Sequence, residues 1–172
     1  MTTIKTIIFI IVLPGAVMVY VPYYLLSANF ELFFPDINAF RFIGIIPISI
    51  GAAIVLWCLW DFISSGKGTP APIDPPKILV LKGLYRLTRN PMYVGVLFVL
   101  FGEILLFEST ALIIYAFFVW LLFNSFVILY EEPTLKNKFG RSYEQYVDSV
   151  PRWLPDIHLF MKTLKSKTDK IS

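Results

Sequence analysis

Two polar clusters stand against long apolar runs in this chain, and their residue types decide what chemistry is open to it. The first opens the stretch from Lys82 to Phe107, KGLYRLTRNPMYVGVLFVLFGEILLF, where a basic, turn-rich lead-in runs directly into an apolar helix. Arg86, Arg89, Asn90 and Tyr93 are thereby held where water gives way to lipid. Asn90 suits a helix cap, and Pro91 suits the first helical position, where a missing N–H costs nothing. The free N–H groups of that first turn and the positive end of its dipole, beside two arginines, favour a carboxylate or phosphate.

The second cluster is Glu131-Glu132, which leaves the last apolar run. Arginine takes a carboxylate in bidentate fashion and glutamate takes an ammonium, so the two clusters together suit a zwitterionic ligand. Aromatic faces at Tyr143, Tyr146 and Trp153 would roof the site and could hold a sulfonium or another cation. The plainer reading is that the glutamates are interfacial charges salt-bridged to Arg86 or Arg89. Spacing alone leaves both open.

Composition sets the setting. The chain has 172 residues, 57% of them hydrophobic and 17% aromatic, with a mean hydropathy of +0.71, well beyond an average soluble domain. A net charge of +3 gives no basic stripe for nucleic acid. One cysteine, Cys58, and one histidine, His158, exclude an intrachain disulfide and a Cys/His metal site.

Four apolar runs would carry the two clusters: residues 7–26, 42–60, 91–107 and 111–130. About 20 apolar residues cross a hydrocarbon core of about 30 Å. The first run is longer than the apolar part of a cleaved leader, and Pro14 is expected to kink it. Gly44 and Gly51 lie seven apart on the second run, and Gly95 and Gly102 repeat that spacing on the third. Such faces suit close helix packing, and glycine is also simply common in membrane helices. Alternatively, Gly95 leaves a notch below Tyr93, near the depth of Asn124, through which a lipid-like molecule could slide in.

Glu108-Ser109-Thr110 leaves room only for an antiparallel hairpin between the third and fourth runs. It brings Glu131 and Glu132 back beside the basic lead-in. Within that hairpin Glu103 lies level with Tyr115; a carboxyl in a membrane span is a functional candidate by default, and the plainer and favoured reading is a protonated carboxyl hydrogen-bonded to a hydroxyl such as that of Tyr115. Past Tyr130, residues Leu135, Phe139, Tyr143, Tyr146 and Val150 recur at helical spacing, which predicts an amphipathic helix lying in the interface, weakened at Gly140. Lysine and arginine gather in the segment from Asp61 to Asn90 and after Tyr130, which places both segments, and both termini, in the cytoplasm. The fold expected is an all-α integral membrane protein of four transmembrane helices plus an interfacial amphipathic C-terminal helix, forming a single domain over residues 1–172.

The order GLYRLTRNPMYVG, apolar hairpin, then EEPTLKNKFGRSYEQYVDSVPRWLP resembles the isoprenylcysteine carboxyl methyltransferase family, membrane enzymes related to the phospholipid methyltransferases. The resemblance covers about residues 79 to 155. It implies S-adenosyl-L-methionine as methyl donor, bound at the cytosolic membrane face, in the cytoplasmic membrane of a prokaryote or the endoplasmic reticulum of a eukaryote. Tyr85 and Arg86 match the family's tyrosine-arginine pair, and Arg89, Pro91, Tyr93 and Gly95 match its Arg-His-Pro-x-Tyr-x-Gly. Asn90 stands where the family commonly has histidine; it can still hydrogen-bond the donor's nucleoside but cannot titrate. Glu131, Glu132, Phe139, Gly140, Tyr143, Tyr146, Pro151 and Arg152 match the second motif.

By that resemblance the donor would contact Tyr85, Arg86, Arg89, Asn90, Pro91, Tyr93, Gly95, Glu131, Glu132 and Tyr143. Arg89 and Glu132 would act in catalysis, Glu132 as base if the acceptor is an amine. The partners are the bilayer and a lipophilic or amphipathic acceptor, with no nucleic acid and no metal. Two other functions remain open at this stage. A sterol-type reductase using NADPH carries a similar Arg-x-Pro-x-Tyr segment, although its phosphates would ask for more basic residues. A non-catalytic lipid-binding scaffold needs no site at all.

Overall fold

The structure, a computed structural model, describes residues 14–28, 38–65 and 83–154. The expectations placed on the start of the first apolar run, on Lys67 and its neighbours between the second and third runs, and on the tail with His158 lie outside the described residues. Within them every regular element is helical. A π turn at Ala16–Tyr20 leads into α1, Val21–Ser27. A 3-10 turn at Asn38–Gly44 leads into α2, Ile45–Ser65. A short 3-10 turn, Gly83–Arg86, precedes α3, Pro91–Phe107. Then follow α4, Thr110–Phe126, a π turn at Val127–Glu131, α5, Glu132–Phe139, and α6, Arg141–Ser149.

Two stretches are long and apolar enough to cross a membrane, Ala39–Asp61 and Thr110–Phe139, while Ala16–Ser27 and Pro91–Phe107 are shorter apolar helices. Most of the large apolar side chains on α2 and α4 face outward, among them Leu56, Trp57, Phe117, Phe118 and Leu122. Lipid is the solvent in which such surfaces are stable.

Glycine decides how α2 and α3 meet. A Cβ built on Gly51 would stand 2.5 Å from the Gly95 carbonyl oxygen, and one on Gly102 would stand 2.8 Å from the Ile48 amide nitrogen and collide with the Gly44 carbonyl. The two glycine pairs therefore let backbone touch backbone at two levels, seven residues apart. The packing reading of these glycines is the one observed, and it corrects the notch: Gly95 is buried against Gly51, Ile54 and Val55. Val55, Val96, Leu100 and Val119 form the buried cluster alongside, joining α2, α3 and α4.

The irregularity described in the first helix sits just before Pro22, while the kink expected at Pro14 bears on a turn that lies outside the described residues. Val21 N–H reaches back five residues to the Ala16 carbonyl. In the same register the Val17 carbonyl would need the N–H of residue 22, which proline lacks. The Tyr115 hydroxyl donates to it instead, at 3.0 Å, and staples the first helix to α4. This corrects the expected Glu103 to Tyr115 bond: the hydroxyl donates elsewhere, and Glu103 Oε2 is buried with no hydrogen-bond partner among the described residues. Tyr115→Phe should strand the Val17 carbonyl and cost about 1 to 3 kcal/mol. Pro22→Ala, which restores a local N–H, should shrink that cost. Thermal melting of the two single variants and the double variant in detergent checks this, and additive effects would count against the staple.

The hairpin turns at Glu108, a non-glycine residue at φ 51°, and α4 returns. It does not stop at Tyr130. Through the π turn it continues into α5, so that Thr110–Phe139 is one rod of 30 residues, about 45 Å at 1.5 Å per residue. The chain then breaks at Gly140, φ 52° and ψ −127°, a conformation that suits glycine. The single amphipathic helix expected from Leu135 to Val150 is therefore two helices meeting at this corner. α6 folds back, and Tyr143, Tyr146 and Val150 are buried against Leu135, Phe139 and Val147. Its apolar face is spent on the protein rather than laid on lipid, while Glu144, Gln145 and Asp148 face outward.

Candidate active site

α6 ends where its chain can reach the basic lead-in to α3. Val150 is extended, φ −127° and ψ 125°, and residues 150–153 run as a strap across the start of α3. Arg89 N–H donates to the Pro151 carbonyl at 2.9 Å. The Arg152 carbonyl takes two side-chain donors, Thr88 Oγ1 at 2.9 Å and Asn90 Nδ2 at 3.1 Å. Thr88 and Asn90 are both buried, so these bonds are shielded from competition by water. α3 begins at Pro91 as expected, but Asn90 makes no side-chain cap. Its amide is turned to the strap because a buried carbonyl there needs a donor.

The strap delivers Arg152 to Glu132. Arg152 Nε donates to Glu132 Oε1 at 2.7 Å and its Nη2 to Oε2 at 2.9 Å, a two-point pairing of the fork with the carboxylate. Arg89 Nη1 donates to Oε1 as well, at 3.0 Å. Glu132 is thus held by two guanidiniums, and this pairing in turn raises the pKa of Arg152 above its ordinary value. Arg89 is only 10% exposed, and its Nε is buried with no acceptor among the described residues.

Glu131 lies on the same turn in a different setting. It accepts from the Tyr93 hydroxyl at 3.2 Å, a neutral donor. The π turn Val127–Glu131 places the pair: Glu132 N–H bonds back to the Val127 carbonyl, and Pro133 follows. π turns of this kind recur at functional sites because they change which way the next side chains point.

Tyrosines close the other side. The Tyr146 hydroxyl donates to the Tyr85 carbonyl at 2.7 Å, tying α6 to the 3-10 turn, and Tyr143 is buried beside Arg89. Burial holds the Tyr85, Tyr143 and Tyr146 phenols above their ordinary pKa, so all three remain neutral hydroxyls near neutral pH. The 3-10 turn is anchored from below by Gly83, φ 58°, whose Cα side faces the Asp61 carboxylate so closely that a Cβ would stand 2.5 Å from Oδ2.

Of the residues singled out from sequence, the structure gathers Tyr85, Arg89, Asn90, Pro91, Tyr93, Glu131, Glu132 and Tyr143 at one end of the helices. Arg86 is exposed at the end of the 3-10 turn. Gly95 is not in the group, since it faces α2. Two members were not given a role from sequence: Thr88, which carries no signal, and Arg152, which stands in the motif VPRWLP at a distance no helical spacing could bridge.

A family model of phospholipid methyltransferases matches residues 40–142, more than half of the chain. Over 134 residues the chain is 29% identical to a probable protein-S-isoprenylcysteine O-methyltransferase of Oryza sativa subsp. japonica, covering 73% of this chain and 68% of the relative. It is 37% identical over 81 residues to protein-S-isoprenylcysteine O-methyltransferase B of Arabidopsis thaliana, 46% of this chain and 41% of that one. The corresponding Schizosaccharomyces pombe enzyme is 34% identical over 79 residues, 45% of this chain and 33% of that one. No solved structure matches. The basic lead-in, the hairpin and the glutamate pair all fall inside the matched stretch, and on that ground the chain belongs to the phospholipid methyltransferase family and is a methyltransferase.

Proposed function

We propose that this protein transfers a methyl group from S-adenosyl-L-methionine to a lipophilic or amphipathic acceptor at the cytoplasmic face of a membrane. In this reading residues 1–172 form one domain of four spans with both termini inside, and residues 79–155 hold the donor. The observation that carries it is the convergence of Arg89, Arg152, Glu132, Tyr93 and Glu131 at the first turn of α3, with one guanidinium nitrogen, Arg89 Nε, buried and without an acceptor among the described residues.

That donor set fits S-adenosyl-L-methionine. Arg89 and the first N–H groups of α3 suit its carboxylate, Glu131 or Glu132 its ammonium, and the face of Tyr93 its sulfonium. When bound, the donor supplies an electrophilic methyl: the carbon–sulfur bond breaks as the acceptor's lone pair forms the new one. The chain's own task is alignment in a dry site. A carboxylate or thiolate acceptor needs no base. For an amine, Glu131 is the better proton acceptor of the two carboxylates, because both oxygens of Glu132 already accept from guanidiniums. Arg89 then orients the donor, and Glu132 holds Arg89 in place.

Equilibrium binding of radiolabelled S-adenosyl-L-methionine to purified protein tests this. Arg89→Ala is expected to weaken binding by about 1.5 to 3 kcal/mol, the scale of a charge-assisted hydrogen bond. In sealed membrane vesicles, binding should appear only where the cytoplasmic face is accessible. No binding by the parent protein would end this reading.

A further inference from the structure

Behind the charged cluster the strap, which lies outside the matched stretch of residues 40–142, makes one more contact. Trp153 Nε1 donates to Asn124 Oδ1 at 3.2 Å. Asn124 lies seven residues before Glu131, about 10 Å along the helix toward the membrane interior. Consecutive strap residues therefore straddle a boundary: Arg152 points to the carboxylate of Glu132, and Trp153 reaches the apolar side of α4. There its ring stands 6.5 Å from that of Tyr93, which packs on Phe123 at 4.6 Å between centroids. Trp153, Tyr93, Phe123 and Asn124 are all only partly buried.

We propose that Trp153 is the specificity-determining residue for the acceptor, fixed in place by Asn124. The acceptor it selects is an amphiphile whose reacting polar end sits at Tyr93 and Glu131 while its hydrocarbon lies along Trp153 and Phe123. Three features point there. The seam between α2 and α3 is closed by backbone contact at both glycine levels, so that route is shut to a chain. The wall between α3 and α4 at this depth is aromatic and partly open, and it is continuous with Tyr93, whose hydroxyl touches Glu131. One polar bond, in surroundings where polar groups are scarce, fixes the indole plane; an unconstrained tryptophan would fill the same space without a defined face.

The inference rests on the methyl-transfer reading, and the test separates the two. In a background where Trp57, Trp60 and Trp120 are phenylalanine, Trp153 is the sole tryptophan fluorophore. A cysteine thioether bearing a terminally brominated long alkyl chain should quench it saturably, and a short-chain thioether should not. In transfer assays with S-farnesylcysteine, Asn124→Leu and Trp153→Ala should raise the acceptor KM by about tenfold or more while donor binding and kcat stay near the parent values, the pattern expected when ground-state and transition-state binding are lost equally. Trp153→Phe, which keeps a ring, should lie between parent and alanine. A short-chain acceptor should be used equally well by all of them. Absent quenching at saturating thioether, or equal loss with long and short acceptors, overturns the role of Trp153. A parent protein that transfers methyl to no acceptor, yet shows saturable quenching, would retire the reaction and keep the hydrocarbon site.

Discussion

Gly102→Leu is expected to abolish the folded protein, and Gly95→Ala to be tolerated with a modest loss. A side chain at Gly102 would meet the Gly44 carbonyl, Ile48 N at 2.8 Å and Ile48 Cγ1 at 2.6 Å. Two of these are backbone atoms of a helix and cannot turn aside, so α2 and α3 would have to part along their whole seam. Overpacking in a core costs about 1 to 3 kcal/mol when side chains can shift; here they cannot, and the cost should exceed that range. At Gly95 the nearest atoms are the Ile54 and Val55 methyls, both at 2.9 Å, with the Gly51 carbonyl at 3.0 Å. Two of those three are side-chain methyls rather than backbone; they are stiff about χ1 in a helix, so the neighbouring helix must give by a few tenths of an ångström. Gly15, with nothing within 4 Å, is the control: Gly15→Ala should leave the melting point unchanged or raise it. Melting curves and gel filtration of the three variants in one detergent would decide, and a monodisperse Gly102→Leu protein that binds donor would refute this account of the seam.

The same seam shows what was legible beforehand. Glycines seven apart on two apolar runs make a close helix contact possible without excluding that glycine is simply common there or that Gly95 leaves a notch; with the runs antiparallel, the contact pairs Gly44 with Gly102 and Gly51 with Gly95. The hairpin and the meeting of Arg89 with the glutamates were more directly readable, since a three-residue turn leaves no other geometry, whereas Arg86, the other arginine of the lead-in, stands exposed. Hidden were the features that depend on a helix departing from regular pitch. Both π turns precede a proline by one residue, Val21 before Pro22 and Glu132 before Pro133, but proline alone does not say whether a helix kinks, stops or widens by one residue. The strap was hidden for another reason: its partners, Thr88 and Asn90, lie more than sixty positions away, and hydrogen bonds to a backbone carbonyl leave no pattern in sequence. Asn90 shows the consequence. Local propensity makes it a cap, whereas the fold uses its amide to hold the Arg152 carbonyl.

Glu131→Gln and Glu132→Gln are expected to fail in different ways, although the two residues are neighbours. Glu132 is 20% exposed and joins Arg89, 10% exposed, to Arg152, 33% exposed. Removing its charge leaves two guanidiniums facing each other in a partly desolvated site. Breaking a fully buried pair costs about 3 to 5 kcal/mol, and the residual exposure here reduces that to about 2 to 4. Glu132→Gln should therefore lower the melting point, weaken donor binding and cut methyl transfer by at least about a hundredfold, a barrier of about 2.7 kcal/mol. In a cycle with Arg89→Ala the two losses should be non-additive by about 1 to 3 kcal/mol, as for groups sharing one network. Glu131 is bound by the Tyr93 hydroxyl alone among the described residues, and a glutamine carbonyl can accept that bond. Glu131→Gln should keep the melting point and lose transfer chiefly to acceptors that must shed a proton, while a carboxylate acceptor is still methylated. Equal losses of stability in the two variants would mean that the guanidiniums do not distinguish them, and the division between a structural and a reacting carboxylate would fall.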